Sequence, residues 1–210
     1  MKEKSSLVFK AIRLVADAHS GQYRKGTRLP YIVHLVNVMR TLVDLGCEDE
    51  IVAAGVLHDV IEDTPLQSED IEKQFGKRVA FLVKGATEVR EQGNGYDEIA
   101  SWHTRKEHTI RFLAREATED QLLISCADKL DNITAIKEDY LKMGESLWER
   151  FNAGKDRQHW YYTQMAQSFK LRALELGNPL SILSERFSQT VNEVFNDEIC
   201  YTNWNYKIDQ

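Results

Sequence analysis

Leu57-His58-Asp59-Val60-Ile61-Glu62-Asp63-Thr64 closes the apolar run Ile51-Val52-Ala53-Ala54-Gly55-Val56. The run reads as a buried helix, yet it ends in His58, Asp59, Glu62 and Asp63. Ionised carboxylates held away from water are costly unless they are paired or bind metal. On one continuous helix His58 and Glu62 share a face, as do Asp59 and Asp63. His58 and Asp59 then diverge by about 100°. Both reach one ion only if it sits over the helix edge between them. The stretch predicts a hydrolytic metal site whose other ligands come from elsewhere in the chain.

The 210 residues suit one large domain or two small ones. With 42% hydrophobic and 29% charged residues, the chain can bury a real core and is not a disordered composition. Three prolines and eleven glycines are few breakers for this length, which favours helices. A net charge of −6 argues against broad nucleic-acid binding, which needs a basic face. It leaves room for an anionic small molecule met by local Lys and Arg. Cys47, Cys126 and Cys200 are odd in number and widely spaced, unlike a disulfide framework or a zinc knuckle. No signal peptide or long apolar span is visible, so a cytoplasmic protein without a membrane segment is expected.

Helical spacing runs through residues 5–20, with Leu7, Val8, Ile12, Val15 and Ala16 apolar. A basic loop carrying Arg24, Lys25 and Arg28 follows. A second helix bears Leu35, Val38, Met39, Leu42 and Val43, with Gly46 as its stop. Residues 48–63 read as one helix ended by Thr64-Pro65. Ser68 is expected to cap a short helix, and residues 77–90 form the next. Residues 91–97 read as a loop and 99–115 as a helix. Thr118 and Gln121 fit a capping box opening a helix over 122–138. Helices around 146–151, 156–175 and 180–195 complete the pattern. The tail, with Tyr201, Trp204 and Tyr206, is expected to pack back on the body, and its aromatics leave room for a homodimer. No period-2 strand pair emerges. The fold class is all-α, a single bundle of about nine to eleven helices: residues 1–178 as the functional domain, 179–210 as a helix and tail on the same body.

A divalent metal takes about four to six ligands, so the 57–64 stretch is incomplete. Two further polar groups stand in apolar surroundings. His34 opens the second helix after Pro30-Tyr31-Ile32-Val33. Asp128 lies within Leu122-Leu123-Ile124-Ser125-Cys126-Ala127-Asp128-Lys129-Leu130, with Asn132 one turn on. Singly, His34 also reads as a helix cap or satisfied core group, and Asp128 as a buried partner for Lys or Arg. With His58-Asp59 they make a His, His, Asp, Asp set.

In this order, Arg24-Lys25, Pro30-Tyr31-x-x-His34, His58-Asp59-x-x-Glu62-Asp63-Thr64 and Ala127-Asp128-x-x-x-Asn132 resemble the HD-domain phosphohydrolases. Within them the chain is most similar to the (p)ppGpp hydrolase domain of RelA/SpoT-type enzymes and to small alarmone hydrolases. The linking stretch 71–87 shares the likeness. The resemblance implies Mn²⁺ held by His34, His58, Asp59 and Asp128, a set of imidazoles and carboxylates without thiolate that suits Mn or Fe. It implies that Glu62 and Asp63 activate or position the attacking water, the competing reading being a polar helix end. It places Arg24 and Lys25 against the nucleotide and makes Asn132 a nucleoside contact. Arg105 and Lys106 are placed near the pyrophosphate, with ordinary helix-surface charge as the rival. Tyr161, in Trp160-Tyr161-Tyr162, is a further substrate contact, with core packing as the rival.

The chain departs from the family in two places. Leu35 stands where Pro often follows the metal His. Asp131 replaces the usual aromatic or His before Asn132, and a carboxylate there would repel a polyphosphate and shift specificity. The expected function is removal of the 3′-pyrophosphate of (p)ppGpp-like alarmones, giving GDP or GTP and pyrophosphate. The alternatives are an HD-type nucleotidase or pyrophosphohydrolase acting on another nucleotide, and a nucleotide-binding sensor without turnover.

Overall fold

The apolar run folds as expected. In a computed structural model, which describes residues 6–87 and 98–195, helix α3 spans Asp49–Leu57 and buries every residue from Ile51 to Leu57. A helix apolar on all sides needs cover on all sides. Helices α1 (Ser6–Ala18), α2 (Ile32–Asp44), α6 (Lys77–Ala86) and α8 (Glu119–Met143) supply it. The approach of α2 is close enough that a Cβ on Gly55 would lie 2.3 Å from Leu42 Cδ1, so a larger residue there would force the Leu42 side chain to shift.

The expected single helix over 48–63 is not formed. His58 and Asp59 interrupt it, and a single turn, α4 (Val60–Asp63), follows. Asp59 adopts φ −94°, ψ −4°, in the bridge region favoured where side chains are re-aimed. Its carbonyl oxygen accepts the amides of both Glu62 (3.1 Å) and Asp63 (2.9 Å), which fixes the turn. The register of His58 with Glu62 across one continuous helix is therefore lost.

Helix α5 (Ser68–Phe75) begins one residue earlier than expected: Gln67, not Ser68, is the cap, in a reciprocal box with Asp70. Helix α6 ends at Ala86; the rest of the expected segment to Arg90, the loop over 91–97 and the aromatic tail lie outside the described residues. Helix α7 covers Glu98–Arg115. The capping box of Thr118 and Gln121 opens α8, which extends beyond the expected 122–138. At about 1.5 Å per residue α8 is roughly 37 Å long, enough to touch α2, α3, α6, α9 (Gly154–Leu176) and α10 (Leu180–Phe195). Residues 144–150 form a 3-10 turn rather than an α-helix.

Among the described residues the chain is all-α, with one isolated bridge between Tyr23 and Pro30 and no helix long and apolar enough to cross a membrane. Helix α10 packs on α8 and α9, with Phe187 edge-on to Phe169 and tilted against Tyr162. The consequence for the site is that α2, α3 and α8 meet pairwise. Each carries one of the polar motifs.

Candidate metal centre

His34 is the third residue of α2, His58 and Asp59 form the break between α3 and α4, and Asp128 lies in the buried first half of α8. The packing of these helices brings the four side chains together. His34 Nε2 and His58 Nε2 are 3.2 Å apart. Asp59 Oδ2 lies 2.9 Å from His58 Nε2 and 3.6 Å from His34 Nε2. Asp128 Oδ1 lies 3.3 and 3.6 Å from the same nitrogens of His34 and His58. Donors bonded to a divalent cation at about 2.1 Å stand roughly 3.0–3.4 Å apart in octahedral or tetrahedral shells. The observed spacings fit that shell, and His34, His58 and Asp59 form its tightest group.

Hydrogen bonds on the far side of each ring support the same conclusion. His58 Nδ1 faces the Gly55 carbonyl oxygen at 2.8 Å, and His34 Nδ1 faces Asp131 Oδ2 at 2.6 Å. Both partners only accept, so each Nδ1 carries its proton and donates it. The two Nε2 atoms then turn toward one shared point. Without a positive charge there, two lone pairs and two carboxylates would face each other in a buried space. A cation resolves this, so the residues fit a divalent metal.

In the metal-free protein, protons play that part. Burial alone would lower the His34 imidazolium, but hydrogen bonds to Asp128, Asp131 and Asp59 outweigh it and raise the pKa to about 9. His58 is likewise disfavoured as a cation by burial, yet raised well above the ordinary range by the charges of Asp59 and Asp128. Burial opposes ionisation of Asp59 and Asp128; the imidazoles, joined at Asp128 by Lys129, more than offset it and hold both carboxyls low. A raised imidazole pKa stabilises the metal-free fold fully below about 6.5, the unfolded value. That contribution is lost as pH rises through about 9. A metal must displace the same protons. Its apparent affinity is therefore expected to rise about tenfold per pH unit for each proton displaced, up to about pH 9. Calorimetric titration with Mn²⁺ in two buffers of different ionisation enthalpy, from pH 6.5 upward, reads the protons released; a pH-independent affinity with no release contradicts this charge balance.

A cavity of about 510 Å³ opens beside the cluster, of a size that holds a small molecule. Asp59 and Asp128 line it, and so do Glu62 and Asp63 from α4. Of the expected substrate contacts, Asn132, Lys106 and Tyr161 line it as well. Lys106 Nζ sits 4.8 Å from the centre of the Tyr161 ring. Tyr161 is buried, and its hydroxyl has no hydrogen-bond partner among the described residues. It lines the cavity and is also a core side chain. Arg24, Lys25 and Arg105 do not line the cavity. Lys25 is exposed. Arg24 is engaged at both ends: Nη1 donates to Asp131 Oδ2 and Nη2 to Asn132 Oδ1, each at 2.6 Å.

Three residues take part in ways the sequence reading does not assign. Tyr31 donates its hydroxyl to Asp59 Oδ2 at 2.5 Å and lines the cavity. Lys129, also on the wall, donates to Asp128 Oδ2 at 2.6 Å. A lysine inside an apolar helix segment signals a buried ion pair, so this one was open to inspection. Asp131 is the third. It does not line the cavity; Arg24, His34 and Asn37 surround its carboxylate. The expected repulsion of a polyphosphate by Asp131 is therefore corrected, because its charge is already matched.

Comparisons with known proteins fit this geometry. The family pattern described as HD domain matches residues 11–155. A guanosine-3′,5′-bis(diphosphate) 3′-pyrophosphohydrolase of Borreliella burgdorferi is 33% identical over 131 residues, which are 61% of this chain and 19% of that protein. The chain thus spans less than a fifth of the length of the curated relatives it matches. The crystal structure of lmo0812 from Listeria monocytogenes is 34% identical with a TM-score of 0.66, covering 78% of this chain and 99% of that one. A metazoan ortholog of SpoT, a protein that hydrolyses ppGpp, shares the fold with a TM-score of 0.68 at 24% identity, over 90% of this chain and 97% of that one.

Proposed function

The chain belongs to the HD-domain family, and from that premise we propose that it is a Mn²⁺-dependent phosphohydrolase that removes the 3′-pyrophosphate of (p)ppGpp-like alarmones. The observation that carries the reading is the meeting of two elements on one cavity wall. The group His34, His58 and Asp59, which could hold a cation, has Asp128 Oδ1 at 3.3 and 3.6 Å from its two imidazoles and stands beside Glu62 and Asp63, two further carboxylates on the cavity wall. A site built only to bind a nucleotide has no use for the second element. The 3′-pyrophosphohydrolase activity of the Borreliella relative supports the substrate class.

When bound, the cation supplies a Lewis acid that polarises a phosphoryl oxygen and lowers the pKa of water. An imidazole and carboxylate set without thiolate favours Mn²⁺ over a structural zinc. The chain's own groups do the rest. Glu62, half-buried in the pinned turn α4, takes the proton of the attacking water, with Asp63 beside it. Water oxygen bonds to the phosphorus proximal to the ribose, the bond from that phosphorus to the 3′ oxygen breaks, and a proton passes to that oxygen. Lys106 and Lys84, on the cavity wall, offset the charge of the pyrophosphate. Tyr161 and Asn132, which line the cavity, stand at the nucleoside end, Asn132 with its amide already bonded to Arg24 and Asp128. The free thiols Cys47 and Cys126 accord with a reducing, cytoplasmic setting.

The test is a substrate panel with the Mn²⁺-loaded protein: ppGpp, pppGpp, other nucleoside di- and triphosphates, and a phosphodiester. Pyrophosphate released from the two alarmones at rates at least tenfold above the other substrates is the expected result. Preferential turnover of another nucleotide would move the assignment to a different HD-type pyrophosphohydrolase, and binding without release would make the protein a sensor.

A further inference from the structure

Asp131 precedes Asn132 on α8, and its surroundings give it a task. Oδ2 accepts from His34 Nδ1 and from Arg24 Nη1, both at 2.6 Å, while Oδ1 accepts from Asn37 Nδ2 at 2.8 Å. Arg24 continues through Nη2 to Asn132 Oδ1 at 2.6 Å. Asn132 Nδ2 donates in turn to Asp128 Oδ1 at 2.6 Å. Asp128 Oδ1 faces His34 Nε2 at 3.3 Å. The contacts close a ring: His34, Asp131, Arg24, Asn132, Asp128 and back to His34. The two candidate metal ligands, His34 and Asp128, are neighbours in it, and the long way round joins them through three residues that are not ligands.

We propose that Asp131 is a positioning residue of the metal centre, which fixes the orientation of the His34 ring and, through Arg24 and Asn132, ties His34 to Asp128. This rests on the metal reading given above. The physical reason is twofold. An imidazole on a metal rotates freely about its side chain unless its other nitrogen is held, and a carboxylate on that nitrogen fixes both ring plane and tautomer. Asp131 and Asn132 follow Asp128 on one helix, so α8 delivers a ligand and its braces as a rigid unit. Arg24 then crosslinks the loop between α1 and α2 to that unit. Its fork geometry suits the task, since the two Nη atoms reach two acceptors at once. With both ends so engaged, Arg24 braces the centre rather than lining the cavity, although the family likeness assigns it to the nucleotide.

Asp131→Asn keeps the shape and removes the charge that both His34 and Arg24 face. Arg24→Gln, on an exposed loop, cuts the ring elsewhere and serves as a second variant should the first fold poorly. Mn²⁺ affinity is measured by calorimetry or by the signal of free Mn²⁺ for wild type, both variants and His58→Ala, with metal-free melting beside it. The expected result is a loss of Mn²⁺ affinity of roughly 10- to 100-fold in Asp131→Asn, in line with removal of a ligand's hydrogen-bond partner. A smaller loss in the same direction is expected in Arg24→Gln. Saturating Mn²⁺ should restore most of kcat while the nucleotide KM stays within threefold of wild type. Mn²⁺ affinity within twofold of wild type in Asp131→Asn, with either a lowered melting temperature or a raised nucleotide KM, overturns the inference and makes Asp131 a structural or a specificity residue. If wild type binds no Mn²⁺, or His58→Ala binds it equally well, the metal reading falls and takes this inference with it. Binding lost in His58→Ala but unchanged in both ring variants overturns this inference alone.

Discussion

Asp59→Ala is expected to abolish divalent-metal binding and turnover together. Asp59 Oδ2 is the nearest carboxylate oxygen to His58 Nε2, at 2.9 Å, and also stands 3.6 Å from His34 Nε2. With His34 and His58 it forms a group of donors that could hold a metal ion, their ligand atoms within 4.8 Å of one another. Losing only a ligand's hydrogen-bond partner costs about 10- to 100-fold in affinity, so losing the ligand itself should cost at least roughly a hundredfold. The remaining anion, Asp128, is already shared with Lys129 and Asn132, so it cannot take over the charge that faces His58. The substitution should not unfold the protein. Alanine tolerates the φ −94°, ψ −4° backbone of position 59, and the orphaned Tyr31 hydroxyl opens onto a cavity that admits water. Metal content after dialysis, calorimetric Mn²⁺ titration and turnover at saturating Mn²⁺ are the readouts. A variant that keeps both its metal and its activity would remove Asp59 from the centre.

Glu62→Gln should separate the two functions that Asp59→Ala destroys at once. Glu62 lines the same cavity but stands outside the tight donor cluster. Its position is set by the turn α4, where the Asp59 carbonyl oxygen accepts the Glu62 and Asp63 amides, Thr64 donates to the Val60 carbonyl oxygen, and Gln22 holds the Asp63 carbonyl oxygen at 3.1 Å. That turn is too well tied to rearrange when a carboxylate becomes an amide of the same shape. Glutamine cannot accept a proton, so what is lost is the base. Proton transfer by a placed side chain contributes about 10²- to 10⁴-fold, and kcat should fall within that range while Mn²⁺ affinity stays within about threefold. An equal fall in both quantities would make Glu62 a ligand instead. Unchanged kcat would move the role to Asp63, its exposed neighbour on the same wall.

Much of this arrangement is legible in the chain. The all-α class follows from apolar spacing and scarce breakers, and the capping box of Thr118 and Gln121 marks the opening of α8, which starts at Glu119, three residues before the expected Leu122. His34, His58, Asp59 and Asp128 stand out because ionisable groups in apolar helices need partners. Helix boundaries were less legible where no side chain announces them: the start of α5 is set by Gln67, a residue type with weak capping preference, through its reciprocal bond with Asp70. The interruption of α3 was hidden because periodicity is continuous through Leu57 to Val60, whereas the backbone turns at Asp59 for reasons of packing.

By itself, then, the sequence determined which residues had to be partnered, since burial of charge is a local, additive cost that residue type and apolar context reveal. It could not determine who partners whom. Arg24 reads as a nucleotide contact until the loop before α2 is folded against α8, 107 positions away, and places it on Asp131. Asp131 reads as a repulsive intruder until His34 Nδ1 and Asn37 close around it. At the break at His58-Asp59 both side chains reach one point, and α2 and α8, packed on α3, bring His34 and Asp128 to it. Hydrogen bonds and ion pairs have directions and lengths of about 3 Å, and only tertiary packing supplies those.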